Sequence, residues 1–367
     1  MKTDMYTIEL RGVEFVNKGA ELMLHAVKEQ VALFDRPVRL VMETSPRATK
    51  KQIRAAGLFP KSGFGLFGDV KESEVDMVLD ASGYAYGDPW GAKKAKRRIS
   101  SHIRRWKQDG KVVILLPQAF GPFRVPELRI EMKTVFSQAD RVFVRDSVSM
   151  AHVSGIHTAE TIIRKPDFTN LVKPLVPKDA AWYAERVAII PNIKMIVATD
   201  GGEKAYLDTM RALIDAIRAN GREAFILLHE ADQDVKVAAL INSSLSEPLR
   251  VVKESHPLMI KGIIGASYAV ATSRFHGLVS ALSQGVPCIA TSWSHKYEEL
   301  LTEYEYLQGL TRSDSDTLSR VNEMLSDSTQ KVERAHLTEK AAQFKLDSTD
   351  LWKQVRNLVT AHRVSSQ

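Results

Sequence analysis

Along most of its length the chain alternates short apolar runs with segments of helical period, and it does so in two successive series. That rhythm limits the possible folds more than any other feature. A strand reached only after a helix lies parallel to its neighbour, and a parallel sheet needs both faces covered. Val112-Val113-Ile114-Leu115-Leu116 reads this way, since no polar residue interrupts it. In the first series the spacing predicts strands near 5–11, 38–43, 75–81, 111–117 and 141–145. Helices are expected near 19–34, 91–109, 126–138 and 147–154. The stretch 165–186, with Pro166, Pro174 and Pro177, breaks the rhythm and reads as a connection between domains. The second series predicts strands near 187–192, 223–229, 249–252, 268–273 and 288–292. Its helices fall near 203–219, 233–244, 256–265, 276–284 and 296–304. Met210, Leu213, Ile214 and Ile217 form the stripe of the first of these, and Gly221 ends it. From about 313 the chain is polar and helical, and could cover the second domain or return to the first. The expected fold is therefore α/β: two doubly wound domains, 1–172 and 173–345, facing across a cleft, with a helical tail over 346–367.

Composition narrows the function classes. The 367 residues suit two domains. Lysine and arginine number 51 against 44 acids, a net charge of +7 that makes anionic partners plausible. No zinc spacing, single-strand stacking pattern or helix-turn-helix supports a nucleic-acid partner. One cysteine, Cys288, excludes an intrachain disulfide and fits a reducing compartment. Met1 to Glu14 carries Asp4, Glu9 and Arg11 without an apolar core, so no secretory signal is expected. No apolar run reaches the roughly 18 residues of a membrane span. The expected location is the cytoplasm, with or without peripheral contact at the membrane's inner face. The densest basic run, Lys93, Lys94, Lys96, Arg97, Arg98, Arg104, Arg105 and Lys107, lies on a helix with the apolar stripe Ile99, Ile103 and Trp106. It reads as a solvated face, or else as a contact for a phospholipid surface or an anionic glycan. The oligomeric state stays open, a homo-oligomer included.

The strongest constellation is Ala271-Thr272-Ser273-Arg274-Phe275-His276-Gly277, where a strand meets a helix. In extended chain Arg274 and His276 point the same way and Phe275 turns inward. A helix start adds free N–H groups, and Gly277 would let a ligand approach the backbone. Together they suit a phosphate or carboxylate. Lys296, in Ser294-His295-Lys296-Tyr297, stands at the next strand-to-helix junction and can neutralise a phosphate. His229 ends another strand and could be an acid, a base, a phosphate ligand or a cap. Glu230, Asp232 and Asp234 follow it, too loosely arranged to favour a metal. In the first series Asn17-Lys18-Gly19 forms a turn that could hold an anion. Tyr84, Tyr86 and Asp88 follow strand three, Gln118 follows strand four, and Arg145-Asp146-Ser147 follows strand five. Each alone is ordinary turn chemistry, but all fall at carboxyl ends of strands.

These residues resemble the polysaccharide pyruvyltransferases. Asn17-x-Gly19, Pro117-Gln118-x-x-Gly121-Pro122-Phe123, Arg145-Asp146-x-x-Ser149, Pro166-Asp167, Arg274-x-His276, Gly285-Val286-Pro287 and Lys296 occur in that family's order, from about residue 10 to 300. The departures are Ala81-Ser82-Gly83, where a glycine triplet is usual, and Ala20, where an acid often follows Asn-x-Gly. The resemblance implies two Rossmann-like domains arranged as in B-type glycosyltransferases. It also implies transfer of a pyruvyl group from phosphoenolpyruvate to sugar hydroxyls of a polysaccharide or its lipid-linked precursor. It suggests Arg274 and His276 as donor-binding, with Gly277, Lys296 and Arg145 beside them. His276 is the expected acid or phosphate ligand, His229 the reserve, and Asp88 or Asp146 the base. Asn17, Gly19, Tyr84, Tyr86 and Gln118 are expected on the acceptor side. No metal or other cofactor is expected beyond phosphoenolpyruvate as co-substrate. The alternative enzyme is a B-type glycosyltransferase using a nucleotide-sugar donor; a glycan-binding or assembly protein is the third reading, with Tyr84, Tyr86 and Trp90 as sugar platforms.

Overall fold

The structure, a computed structural model, describes residues 5–61, 69–199, 201–291, 295–311 and 314–365. Ser294 and the side chain of Asp232 lie outside the described residues. The chain divides into two compact units. One comprises Met1–Val16, Met23–Leu171 and Leu346–Gln367; the other comprises Asn17–Leu22 and Val172–Lys345.

The first unit carries the strands β1 (Tyr6–Arg11), β2 (Val38–Glu43), β3 (Phe59–Lys61), β4 (Met77–Asp80), β5 (Tyr84–Tyr86), β6 (Val112–Phe120), β7 (Arg141–Val144) and β8 (Ile162–Arg164). Their order is β3-β2-β1-β4-β6-β7-β8, all parallel, with β5 paired to the end of β6. The winding reverses between β1 and β4. The helix expected over 91–109 spans Gly91–Gln108 with a wide π-type turn at Lys96–Ser100. Its stripe of Ile99, Ile103 and Trp106 is fully buried, as the spacing predicts.

The second unit carries β9 (Arg186–Ile190), β10 (Glu223–Leu228), β11 (Val251–Lys253), β12 (Ala269–Thr272), β13 (Cys288–Thr291) and β14 (Leu310–Thr311). Their order is β11-β10-β9-β12-β13-β14, again parallel throughout. Side-chain alternation divides each strand between two cores. Ala188 and Ile190 of β9 join Phe225, Leu227 and Val270 on one face; Val187 and Ile189 join Ile226, Leu228 and Ala271 on the other. Both faces are apolar, so the strands read as unbroken hydrophobic runs. The winding reverses between β9 and β12, and such a reversal leaves a crevice beyond the strands' carboxyl ends.

The polar tail forms the helices Asp314–Met324 and Asp327–Ser365. From Leu346 onward it belongs to the first unit, where Trp352 is fully buried edge-on to Phe168 and Asp350 pairs with Lys165 at 2.7 Å. No helix among the described residues is long and apolar enough to cross a membrane.

Candidate functional site

The second unit's reversal brings together residues that the sequence holds far apart. At the end of β12, Thr272 Oγ1 accepts the Arg274 backbone N–H at 3.0 Å, and the helix Phe275–Leu282 starts with Arg274 as its N-cap. Extended alternation therefore stops at Arg274, and His276 lies in the first helical turn. Phe275 is half-buried against the core and meets Tyr297 edge-on at 5.8 Å. Gly277 finds a different use from the one expected. A Cβ there would lie 2.7 Å from Thr272 Oγ1 and 3.4 Å from Ile190 Cδ1, so its missing side chain serves close helix–strand packing.

Arg274 is 8% exposed and held from three sides. Its Nη1 donates to Glu230 Oε2 at 2.7 Å, its Nη2 to Asp234 Oδ1, and its Nε to the Pro191 carbonyl at 3.4 Å. Pro191 follows β9 and Glu230 follows β10, so the guanidinium spans the switch point. Two of the three acids that the sequence offered as a loose metal set, Glu230 and Asp234, are its counter-ions. Sequence reasoning missed this pairing; the signal was Glu230 and Asp234, four apart at a helix start, which share a face. Two carboxylates offset the arginine's charge, so the site is less cationic than Arg274-x-His276 alone suggests.

The second group to converge is Asn17-Lys18-Gly19. Asn17 Oδ1 accepts the Gly19 N–H at 2.9 Å and starts the helix Lys18–Val31. The turn was expected on the acceptor side, yet Asn17–Leu22 belongs to the second unit. A Cβ on Gly19 would lie 2.8 Å from His276 Cγ and closer still to Nδ1. Glycine is required here so that the imidazole can lie against the turn.

His229 is buried at the end of β10, its N–H donating to Asp234 Oδ2 at 3.0 Å. Burial, then the charges of Arg274, His276 and Lys18, hold its pKa well below the ordinary histidine value of 6.5. It is neutral at pH 7, and among the described residues its Nδ1 has no hydrogen-bond partner. Burial therefore disfavours the imidazolium that the reserve role as acid would draw on, while the neutral ring keeps one N–H donor and one acceptor nitrogen. Lys296 approaches from the neighbouring junction after β13, its Nζ 5.7 Å from the centre of the Phe275 ring. His276 and Lys296 thus flank Phe275 at the start of the helix, while Lys18 Nζ donates to Glu21 Oε2 at 2.6 Å.

The first-unit candidates divide. Tyr86 is fully buried with its hydroxyl donating to Asp80, and Gln118 is fully buried with Nε2 directed to Asp80 Oδ1 at 3.5 Å. Neither reaches an acceptor. β6 continues to Phe120 and pairs with β5, so residues expected in open turns lie inside a sheet. Arg145 is 4% exposed and paired with Asp167 at 3.4 Å, so its charge is committed internally. The Asp88 carboxylate accepts the N–H groups of Arg124 and Val125 at 3.0–3.2 Å, an anchoring role that leaves it poorly placed as a base. Asp146 caps the helix Ser147–Ser154 by accepting the Ser149 N–H at 2.7 Å. Tyr84 stays half-buried, donating to the Gly121 carbonyl at 2.7 Å and meeting the exposed Trp90 edge-on.

Comparison with known proteins gives the family and the fold. The family model for polysaccharide pyruvyl transferase matches residues 17–295, from the Asn17 turn to the start of the Lys296 helix. Among solved structures, UDP-GlcNAc 2-epimerase from Neisseria meningitidis bound to UDP-GlcNAc superposes with a TM-score of 0.61 at 10% identity, covering 96% of this chain and 99% of that one. The S. aureus MnaA–UDP structure gives 0.59 at 12% identity, with 98% and 97% covered. The pneumococcal O-GlcNAc transferase GtfA in complex with UDP and GlcNAc gives 0.59 at 8%, with 98% and 100% covered. At such identities the likeness establishes a shared fold, that of the B-type glycosyltransferases. Epimerases and transferases both use it, so the fold alone does not select the chemistry.

Proposed function

Because the chain belongs to the polysaccharide pyruvyl transferase family and is therefore a transferase, we propose that it takes a pyruvyl group from phosphoenolpyruvate and installs it as a ketal on two hydroxyls of a glycan or lipid-linked glycan precursor. The observation that carries the reading is the meeting of Gly19 with His276 beside Arg274 at the switch point. Phosphoenolpyruvate is compact and carries both phosphate and carboxylate. His276, Lys296 and the N–H groups opening the helix Phe275–Leu282 answer its negative charge. Arg274 spends three of its guanidinium N–H groups on protein and keeps two of about five for the ligand.

In the reaction, His276 delivers a proton to the methylene carbon. The central carbon becomes electrophilic and is attacked by a sugar hydroxyl, which gives up its proton. The carbon–oxygen bond to phosphate then breaks, phosphate departs, and a neighbouring hydroxyl closes the ketal. One hydroxyl hydrogen balances the new methyl group and the other leaves with phosphate. The scheme uses no cofactor.

The first test is ligand-induced thermal stabilisation. Arg274→Ala is a poor probe, because it strands the buried Asp234 and unpairs the half-buried Glu230, at a cost of about 3–5 kcal/mol. His276→Gln and Lys296→Met leave that cluster intact. Phosphoenolpyruvate should stabilise the parent protein, while both variants keep the parent's melting temperature and lose the shift. Stabilisation by UDP and none by phosphoenolpyruvate would move the reading to a nucleotide-sugar donor.

A further inference from the structure

The first unit has its own switch point, between β1 and β4, and a second group of side chains gathers there that the donor chemistry does not use. Trp90 precedes the helix that begins at Gly91 and is 42% exposed. Lys94 Nζ lies 3.7 Å from the centre of its ring, a cation–π contact, and Tyr84 meets the ring edge-on at 5.9 Å. Gly91 has φ +69° and nothing within 4 Å of where a Cβ would project, so the space beside Trp90 is open. One turn on, the wide Lys96–Ser100 segment interrupts the helix, and Arg98 Nη1 donates to Ser82 Oγ at 2.7 Å, just past the end of β4. Wide turns of this kind often mark functional positions in helices.

The electrostatics are unbalanced. Glu14 and Asp80 are the acids that act on Lys94, and both are occupied. Glu14 pairs with Arg47 at 2.5 Å, while Asp80 is fully buried and accepts from Tyr86 and from the Ser82 N–H. Among the described residues no carboxylate pairs with Lys94 or with the exposed Arg97. Burial, then the nearby charges of Arg98 and Arg97, push the Lys94 pKa down to about 8. A half-buried ammonium facing two guanidinium groups without a counter-ion is a place where an anion gains.

We propose that Trp90, Lys94 and Arg97, with Tyr84 at the ring's edge, form a subsite for a sugar carrying an anionic group: the ring stacks on the exposed face of Trp90 while a carboxylate or phosphate meets Lys94 and Arg97. The inference rests on the pyruvyl-transfer reading in one respect, since it names the acceptor class for that reaction. The anion could come from a uronic acid within a glycan or from the phosphate joining a sugar to its carrier.

Calorimetric titration separates these sources with three probes: a glucuronate-containing disaccharide, glucose 1-phosphate and neutral maltose. One or both anionic probes should bind and maltose should not; whichever binds identifies the source of the charge. Trp90→Ala and Lys94→Met should each weaken that binding by about tenfold or more. Binding to the parent should fall as pH rises past about 8, where Lys94 loses its proton, and Lys94→Arg should retain it to higher pH. Equal binding of maltose and the anionic probes, or unchanged affinity in both weakening variants, would overturn the proposal. The stabilisation by phosphoenolpyruvate is read separately: its absence from the parent protein defeats the donor reading and leaves the acidic-sugar result standing.

Discussion

At the scale of single residues the account turns on how His276 is held. Gly19 leaves no room for a side chain, since the imidazole occupies the place of its Cβ. Gly19→Ala should therefore turn the His276 ring aside and lower kcat by about 10²-fold or more, while the melting temperature changes little, because a side chain yields and not the backbone. Matched kinetics and thermal melts check this; normal turnover would show that the contact does not position the ring. His229 makes a prediction of opposite kind. Its folded pKa lies below 6.5, so as pH falls past that value the unfolded chain takes up a proton that the folded chain refuses. Stability is complete above about 6.5 and is lost below it, by up to about 1.4 kcal/mol per pH unit. His229→Asn should flatten that loss between pH 6.5 and 5, measured as melting temperature against pH; parallel curves for variant and parent would contradict it.

At the scale of elements, legibility followed length. Strands of four residues or more and the long helices were readable, since their apolar spacing has room to repeat. Among the strands of three residues or two, β11 was readable, whereas β3, β5, β8 and β14 were not. The cost fell on the candidate site: missing β5 left Tyr86 in a turn and ending the fourth strand at 117 left Gln118 in another, whereas Tyr86 pairs with β6 and Gln118 with β7. Arg274-x-His276 and Asn17-x-Gly19 were legible as motifs, but their meeting depends on tertiary packing. The carboxylates on Arg274 were legible only as spare acids. Packing between elements also makes a prediction. In the helix Pro257–Ala266, Gly262 sits against the backbone of the 172–177 stretch, where a Cβ would meet the Leu175 carbonyl oxygen and lie 2.9 Å from its carbon. Backbone cannot yield as a side chain does, so Gly262→Ala should cost about 1–3 kcal/mol. Denaturant unfolding reads the loss, and an unchanged midpoint would show that the helix and this stretch shift freely.

At the scale of the whole molecule, two parallel sheets were legible because parallel strands buried on both faces write themselves as apolar runs. The tail's destination was not, since a polar helix with a narrow apolar stripe can cover either unit. Trp352 and Asp350 place its last turns with the first unit. Both sheets reverse their winding once, and each reversal carries its own cluster of cationic and ring-bearing side chains. The most direct measurement combines phosphate release from phosphoenolpyruvate, with and without glycan acceptors, with mass analysis of the glycan. The account predicts acceptor-dependent phosphate release, a glycan heavier by one pyruvate less one water, and loss of both signals in His276→Gln. A product heavier by a hexose with a nucleotide-sugar donor, and no release from phosphoenolpyruvate on any acceptor, would contradict it.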